Sequence, residues 1–390
     1  MSFQVGLGHS QDVDEDDAVE EVVEKALEDL AGAAPRAAIA FTTADYDHAA
    51  LADEFRKRLP GVSLIGCSAD GQLSSNEAYV EDGVALMVFG GDTLNFRMGW
   101  ATIEEGNDRE AARQAARQAA RDDSAPSLVF TLPAGVGSNM DEIVVGLREG
   151  FGASSVPVFG GTAADHWKFK ETFQISGGNY KTNGIPVLAV YGPMMFGHGV
   201  HSGWQTFGRP MTVTSAEGNI LRTLDGQSAA KLLEEEFGQS ILLSAGEYPL
   251  AVMLPDEGKD KFYLRAVLEV QLEADCVVLA GNIPVGAQVR LTSASRDQIL
   301  LGSAASTRAA LSRYPGVDPQ ALLVFSCAAR KWLLGPRVQE EYEGIARELR
   351  AGGLHIPVAG FYSFGELAPH EHNVSYAHNE TCVTLAIGVA

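Results

Sequence analysis

Cysteine is scarce: Cys67, Cys276, Cys327 and Cys382 are the four in 390 residues, and no two form a Cys-x-x-Cys pair. That spacing fits free thiols in a reducing compartment, and a four-cysteine metal cluster would need ligands from four distant elements. Long apolar runs are missing as well. No stretch approaches the roughly 18 residues that a membrane span needs. Residues 1–17 have neither a basic start nor an apolar segment, which argues against a secretory signal. Positive charge is thin, with 29 Lys and Arg against 51 Asp and Glu, for a net charge of −22. Such a surface repels nucleic acid and anionic lipid, so neither is expected as a partner. What remains is a soluble cytoplasmic protein, 46% hydrophobic and long enough for two or more domains.

The chain carries one pattern several times. Val19, Val22, Val23, Ala26, Leu27 and Leu30 predict a helix within Asp14–Ala31, with acids in its first turn. Ala37–Thr43 reads as a strand buried on both faces, Asp47–Leu59 as a helix, and a glycine turn follows from Val62 to Gln72. Gly83–Gly90 and Asn95–Ile103 read as antiparallel neighbours. Helix Asp108–Asp122, strand Ser127–Leu132, helix Ser138–Gly150, a turn from Val156 to His166 and strand Ile185–Tyr191 repeat the order. Helix Asp297–Arg313, strand Ala321–Ser326, helix Pro336–Ala351, a turn from Ile356 to Leu367 and strand Thr381–Val389 repeat it again.

Aligned on Gly66, Gly160 and Gly360, the three turns each end in a polar residue: Gln72, His166 and Glu366. The step from Gly160 to Gly360 is about twice that from Gly66 to Gly160. A degenerate further copy is therefore expected between Gln227 and Gln298, with Val277–Ala280 as its core strand. The fold class is α/β or α+β: two domains of repeated helix-strand-helix-strand-Gly turn-strand units with mixed sheets. The expected divisions are an N-terminal helix region at 1–34, then 35–224 and 225–390.

Several stretches invite chemistry. Gly66-Cys67-Ser68-Ala69-Asp70 approaches a hydrolase nucleophile elbow, but Asp70 stands where that strained turn needs a second glycine. Ser138 reads as a helix N-cap with Asp141 three residues on. Arg109, Arg113, Arg117 and Arg121 form an i, i+4 stripe, read as a solvated face. His370, His372 and His378 cluster after the third turn as weak metal candidates, while His198 and His201 should point to opposite strand faces. Cys327 leaves a strand close to Arg330 and Lys331, cations that would make a thiol reactive; the alternative is a small buried hydrophobe. No catalytic set emerges from local spacing, so enzyme activity is not expected.

Together, certain motifs resemble the paired N- and C-terminal FIST domains of intracellular signal transduction. They are Gly66–Gly71, His201-Ser202-Gly203-Trp204, Leu224-Asp225-Gly226, Ser326–Arg330, Gly360–Glu366 and His378-Asn379-Glu380-Thr381. The resemblance implies a cytosolic sensor of a small ligand, an amino acid for the family at large, reporting to a separate protein such as a histidine kinase. It also implies haem as an alternative ligand, for nitric-oxide sensing; a thiol- or metal-dependent hydrolase is the third reading.

Strand exits on one sheet edge gather within ligand reach. Cys327, Arg330, Tyr362, Glu366, Asn379 and Thr381 are thus expected to converge on one pocket, with Arg330 and Glu366 suiting a zwitterion. Cys67, Ser68, Asp70, Thr162, Asp165 and His166 are the candidate ligand-binding residues of the other two turns.

Overall fold

The computed structural model describes residues 3–104, 106–152, 156–242, 244–254, 261–370 and 374–390. Among these lie three six-stranded mixed sheets and one eight-stranded antiparallel sheet. Each mixed sheet is built round a parallel pair: Pro35–Thr43 with Ser63–Ala69, Leu128–Thr131 with Val158–Gly161, and Ala321–Cys327 with Val358–Ser363. Parallel pairing requires a crossover, supplied by the helices His48–Arg58, Met140–Phe151 and Gln339–Ala351. Val84–Gly91, Gly184–Tyr191 and Cys382–Val389 run antiparallel beside the three pairs. Each of those strands carries an outer one: Phe3–Ser10, Asn95–Thr102 or Met194–His201.

The remaining edge of each parallel pair accepts a hairpin from another unit. Gln72–Val80 from the first unit pairs with Val358–Ser363 of the third. Residues 174–181 of the second pair with Ser63–Ala69, and Glu366–Pro369 of the third, itself paired with Ser375–His378, pairs with Val158–Gly161. The exchange closes a ring and leaves no parallel pair with a bare edge, the usual site of unwanted pairing.

One apolar core fills the space between the sheets, with Phe41, Met87, Phe130, Leu188, Phe325 and Ile387 among its residues. Helices cover the outer faces, Glu15–Asp29 and His48–Arg58 over the first sheet and their counterparts over the other two. Strands buried on both sides explain the continuous apolar runs in the sequence.

The helix following each outer strand lies almost on that strand's backbone. A Cβ on Gly8 would meet the Val22 carbonyl oxygen at 1.9 Å, one on Gly99 the Ala115 oxygen at 1.8 Å, and one on Gly199 the Ser306 oxygen at 2.1 Å. The same contact in each unit makes Phe3–Ser10 the counterpart of Asn95–Thr102 and Met194–His201.

Two expectations need correction. Val84–Gly91 and Asn95–Thr102 are not neighbours; they belong to successive sheets, because the first pairs back with Phe3–Ser10 and Pro35–Thr43. The stretch from Gln227 to Gln298 is not a further copy either. Strands from Gln205–Glu217 to Gln288–Ser293 form the antiparallel sheet, inserted between Met194–His201 and the helix Arg296–Arg313, with a core of Val213, Leu221, Leu233, Leu250 and Val277. The doubled spacing from Gly160 to Gly360 is one unit plus this insertion. Asn139, not Ser138, caps Met140–Phe151, accepting from Asp141 N and Glu142 N, while Ser138 Oγ donates to Ala134 O.

Candidate functional site

The three glycine turns meet and stitch to one another. Asp70 N donates to Tyr362 O at 2.9 Å and Tyr362 N to Gly71 O at 3.0 Å. Thr162 N donates to Gly365 O at 2.8 Å, and Ala164 N to Ser68 O at 3.0 Å. Ser68 Oγ adds a bond to Ala164 O. Strand register decides which residues correspond: Gln72 faces Phe361, Glu366 faces Gly161 and Gln174 faces Cys67. The third polar counterpart is therefore Gln174. His166 belongs to a longer loop, residues 162–173, that has no equivalent in the other turns.

That loop builds one wall of a cavity of about 560 Å³ between the third unit and the inserted sheet. Asp165 is buried and accepts from Phe169 N, Lys170 N and Glu171 N, which folds the loop back on itself. His166, Trp167 and Phe169 take φ values of 55°, 60° and 47°, a left-handed conformation that costs bulky residues energy and clusters at functional sites. The strain places Trp167 5.7 Å from Trp332 and 5.8 Å from Phe364, with Phe169 stacked on Phe364 at 4.8 Å. The opposite wall comes from the insertion, including Ala245, Val267 and Val278.

Glu380 lines this cavity. It is wholly buried, sits at φ 59°, and neither carboxylate oxygen has a hydrogen-bond partner among the described residues. Burial, reinforced by the neighbouring Glu366, pushes its carboxyl well above the usual range. Buried polar groups are nearly always paired, so an orphan of this kind marks a place where something else supplies the donors.

Around it the candidate residues separate. Cys327 lines the cavity, its thiol pushed well up by burial and by the Glu366 and Glu380 carboxyls. Glu366 stands behind, accepting from Ser363 Oγ at 2.9 Å, Thr381 Oγ1 at 2.7 Å and Thr381 N at 3.1 Å. Asn379 Oδ1 accepts from Ala266 N of the insertion at 3.4 Å.

Arg330 and Tyr362 belong to a different cluster, both bonded to Glu341 and fully buried. Burial alone would raise the Glu341 carboxyl, but Arg330, Ser303 and Tyr362 hold it below the usual range. Cys67 and Thr162 are buried where the turns meet. Asp70 accepts from Lys331 Nζ at 3.1 Å and lies 3.0 Å from His166 Nδ1. Asp70, Glu81 and His166 have ligand spacing for a metal ion, but Lys331 already pairs with both carboxylates.

His370 and His378 approach to 4.8 Å between ring centroids, beside a second cavity that His198 and His201 both border. The alternation that would separate those two ends with the strand, of which His201 is the last residue. His378 and His198 are bonded through Nε2 to Ala368 O and Pro369 O. His372 lies outside the described residues. The aromatic cavity does not fit a haem: no imidazole lines it among the described residues, and the Cys327 thiol faces carboxyls that oppose its ionisation.

The residues that sequence reasoning missed are Glu380, Trp167, Phe169, Trp332 and Phe364. Glu380 had a signal, an acid separated only by Thr381 from the largely apolar run Cys382–Val389. The aromatics had none, because they come from separate units and meet only in space.

Three pseudo-equivalent α/β sheets with an inserted antiparallel sheet, and a cavity between the two, define the class of protein. The FIST N domain description matches residues 36–227 and the FIST C domain residues 227–369. The chain belongs to the FIST family, whose domains are associated with sensory signal transduction and small-ligand binding. An uncharacterised protein of Methanocaldococcus jannaschii is 29% identical over 199 residues, 45% of this chain and 35% of that protein's length. The cyanuric acid hydrolase of A. caulinodans superposes over 100% of this chain and 99% of its own, at 10% identity and a TM-score of 0.36. PurLQS of Thermotoga maritima does so over 100% and 72%, at 10% identity and a TM-score of 0.26. No helix among the described residues is long and apolar enough to cross a membrane.

Proposed function

We propose that this protein is a cytoplasmic sensor that binds a small ligand in the cavity over Glu380 and reports to a separate protein, such as the histidine kinase the family resemblance implies. The observation that carries the reading is Glu380 itself, a buried carboxyl without donors, held in a left-handed conformation at the floor of a ligand-sized, aromatic-walled space. Signalling has a physical route. A ligand touching Trp332 of the scaffold and Val267 of the insertion would bridge two parts that already share a core through Ala251 and Leu264, and a shift of one on the other is what a partner would read. We read binding as the function, and the Cys327 thiol at the cavity, held protonated by burial and its carboxyl neighbours, does not favour a thiolate nucleophile there.

Mass spectrometry of small molecules released from the natively purified protein tests this. A specific molecule should co-purify with wild type and be lost from Glu380→Gln at unchanged circular dichroism. Retention of the same molecule by that variant would move the site elsewhere.

A further inference from the structure

We infer that the ligand is an organic cation, an amine or ammonium group on an apolar or aromatic body, and not a free amino acid. This rests on the cavity being the ligand site. Among the described residues, the charged side chains that line the cavity are all acidic: Glu247, Glu269 and Glu380, with no Lys, Arg or His beside them. A zwitterion would bring its carboxylate into this acid-lined space with nothing to pair it, a costly burial. The cations near it among the described residues are engaged elsewhere, Arg265 with Asp141. Arg330 is fully buried against Glu341, and Lys331 is paired with Asp70 and Glu81.

The walls match the other half of such a ligand. A cation over aromatic faces gains from their quadrupoles, most of all from tryptophan, and desolvation strengthens the effect. Trp167 and Trp332 stand 5.7 Å apart with Phe364 beside them. Two of the aromatic positions, Trp167 and Phe169, sit in the left-handed region, at an energetic cost, in a loop folded back by the Asp165 carboxylate, which accepts from Phe169 N. Trp332 and Phe169 are 63% and 49% exposed, large apolar surfaces left uncovered at the cavity. Glu380 then supplies the counter-charge on binding: an ammonium beside it favours the ionised carboxylate that burial and Glu366 disfavour in the free protein, and the ammonium hydrogens are the donors that its two oxygens lack. Val267, Val278 and Ala280 provide apolar surface for the rest of the molecule.

Calorimetry on the full chain with matched pairs tests the assignment: phenethylamine against phenylalanine, and tryptamine against tryptophan. The amines should bind at least about tenfold more tightly than their parent amino acids, the scale of one unpaired charge. Glu380→Gln should weaken amine binding at least about tenfold. Trp332→Ala, at an exposed position that cannot unfold the core, should weaken it by a similar factor. Equal or tighter binding of the amino acids overturns the cation assignment while leaving the cavity as the site. The assignment also falls if no probe binds. If both variants keep full affinity for a bound probe or for a co-purified molecule, the cavity itself is not the ligand site.

Discussion

The Arg330 guanidinium lies 2.7 Å from the Glu341 carboxylate, with both side chains wholly shielded from water. Arg330 also donates to Ser326 Oγ, Ser303 Oγ and the carbonyls of Ile299 and Ser202, while the Tyr362 hydroxyl donates to the second Glu341 oxygen. The cluster fastens the crossover helix Gln339–Ala351 to the parallel pair beneath it. Removing one partner of such a pair leaves a buried uncompensated charge, which costs more than the pair itself contributes. Arg330→Ala should therefore lower the unfolding free energy by about 3–5 kcal/mol in urea. Arg330→Met combined with Glu341→Leu should recover most of that loss. An Arg330→Ala protein as stable as wild type would refute the structural role.

Gly199 lets the helix Arg296–Arg313 rest on the strand Met194–His201, where an added Cβ would come within 2.1 Å of the Ser306 oxygen. Overpacking of this kind has no flexible side chain to absorb it. Gly199→Val should cost about 3 kcal/mol of stability. The same change at Gly246, where nothing lies within 4 Å, should cost little. Equal losses from the two variants would show that the helix does not press on the strand.

Local periodicity was sufficient for the parallel pairs and most helices, since strands buried on both faces and amphipathic helices write their burial into the sequence. The turn glycines 66, 160 and 360 were legible for the same reason. Pairing partners were not. Gln174 rather than His166 matches Gln72 and Glu366, because an inserted loop shifts the register of the second unit, and only the hydrogen-bonded ladder reveals it. The exchange of hairpins among units likewise leaves no local trace. Motif order suggests Arg330 and Glu366 as a zwitterion site, yet Glu341, on a different helix, holds Arg330 in a separate buried cluster.

Glu366 makes stability depend on pH. Burial raises its carboxyl to about 7, against the hydrogen bonds from Thr381 and Ser363 that favour the ionised form. Glu380 and the Cys327 and Cys382 thiols titrate beside it, and the Arg330 charge favours its ionised form. A carboxyl raised on folding contributes stability that is fully present below its unfolded pKa near 4.5 and is lost as pH rises through 7. The loss from this group is on the order of 3 kcal/mol. Urea denaturation at pH 5 and pH 8 should show wild type weakening and Glu366→Gln weakening less by that margin. Parallel losses in the two proteins would place the pH dependence in the general acidity of the surface.

His166 titrates in the opposite sense of charge, beside Trp167. Its hydrogen bond to Asp70 raises its pKa above 6.5, against burial, and Lys331 opposes the cation while Asp82, 3.5 Å away, favours it. Glu81, at 3.7 Å, completes the charged surroundings. The stability this ion pair gives the loop is present below 6.5 and is lost as pH rises through the folded value. Because Trp167 follows directly in the strained segment, its indole should report the change. Tryptophan fluorescence should therefore show a transition above pH 6.5 that disappears in Trp167→Phe. His166→Asn, a residue that tolerates the left-handed conformation, should remove the transition while changing global stability by no more than about 1 kcal/mol. A transition that survives His166→Asn would mean that another group near Trp167 titrates, and that the contact between His166 and Asp70 does not hold the aromatic wall.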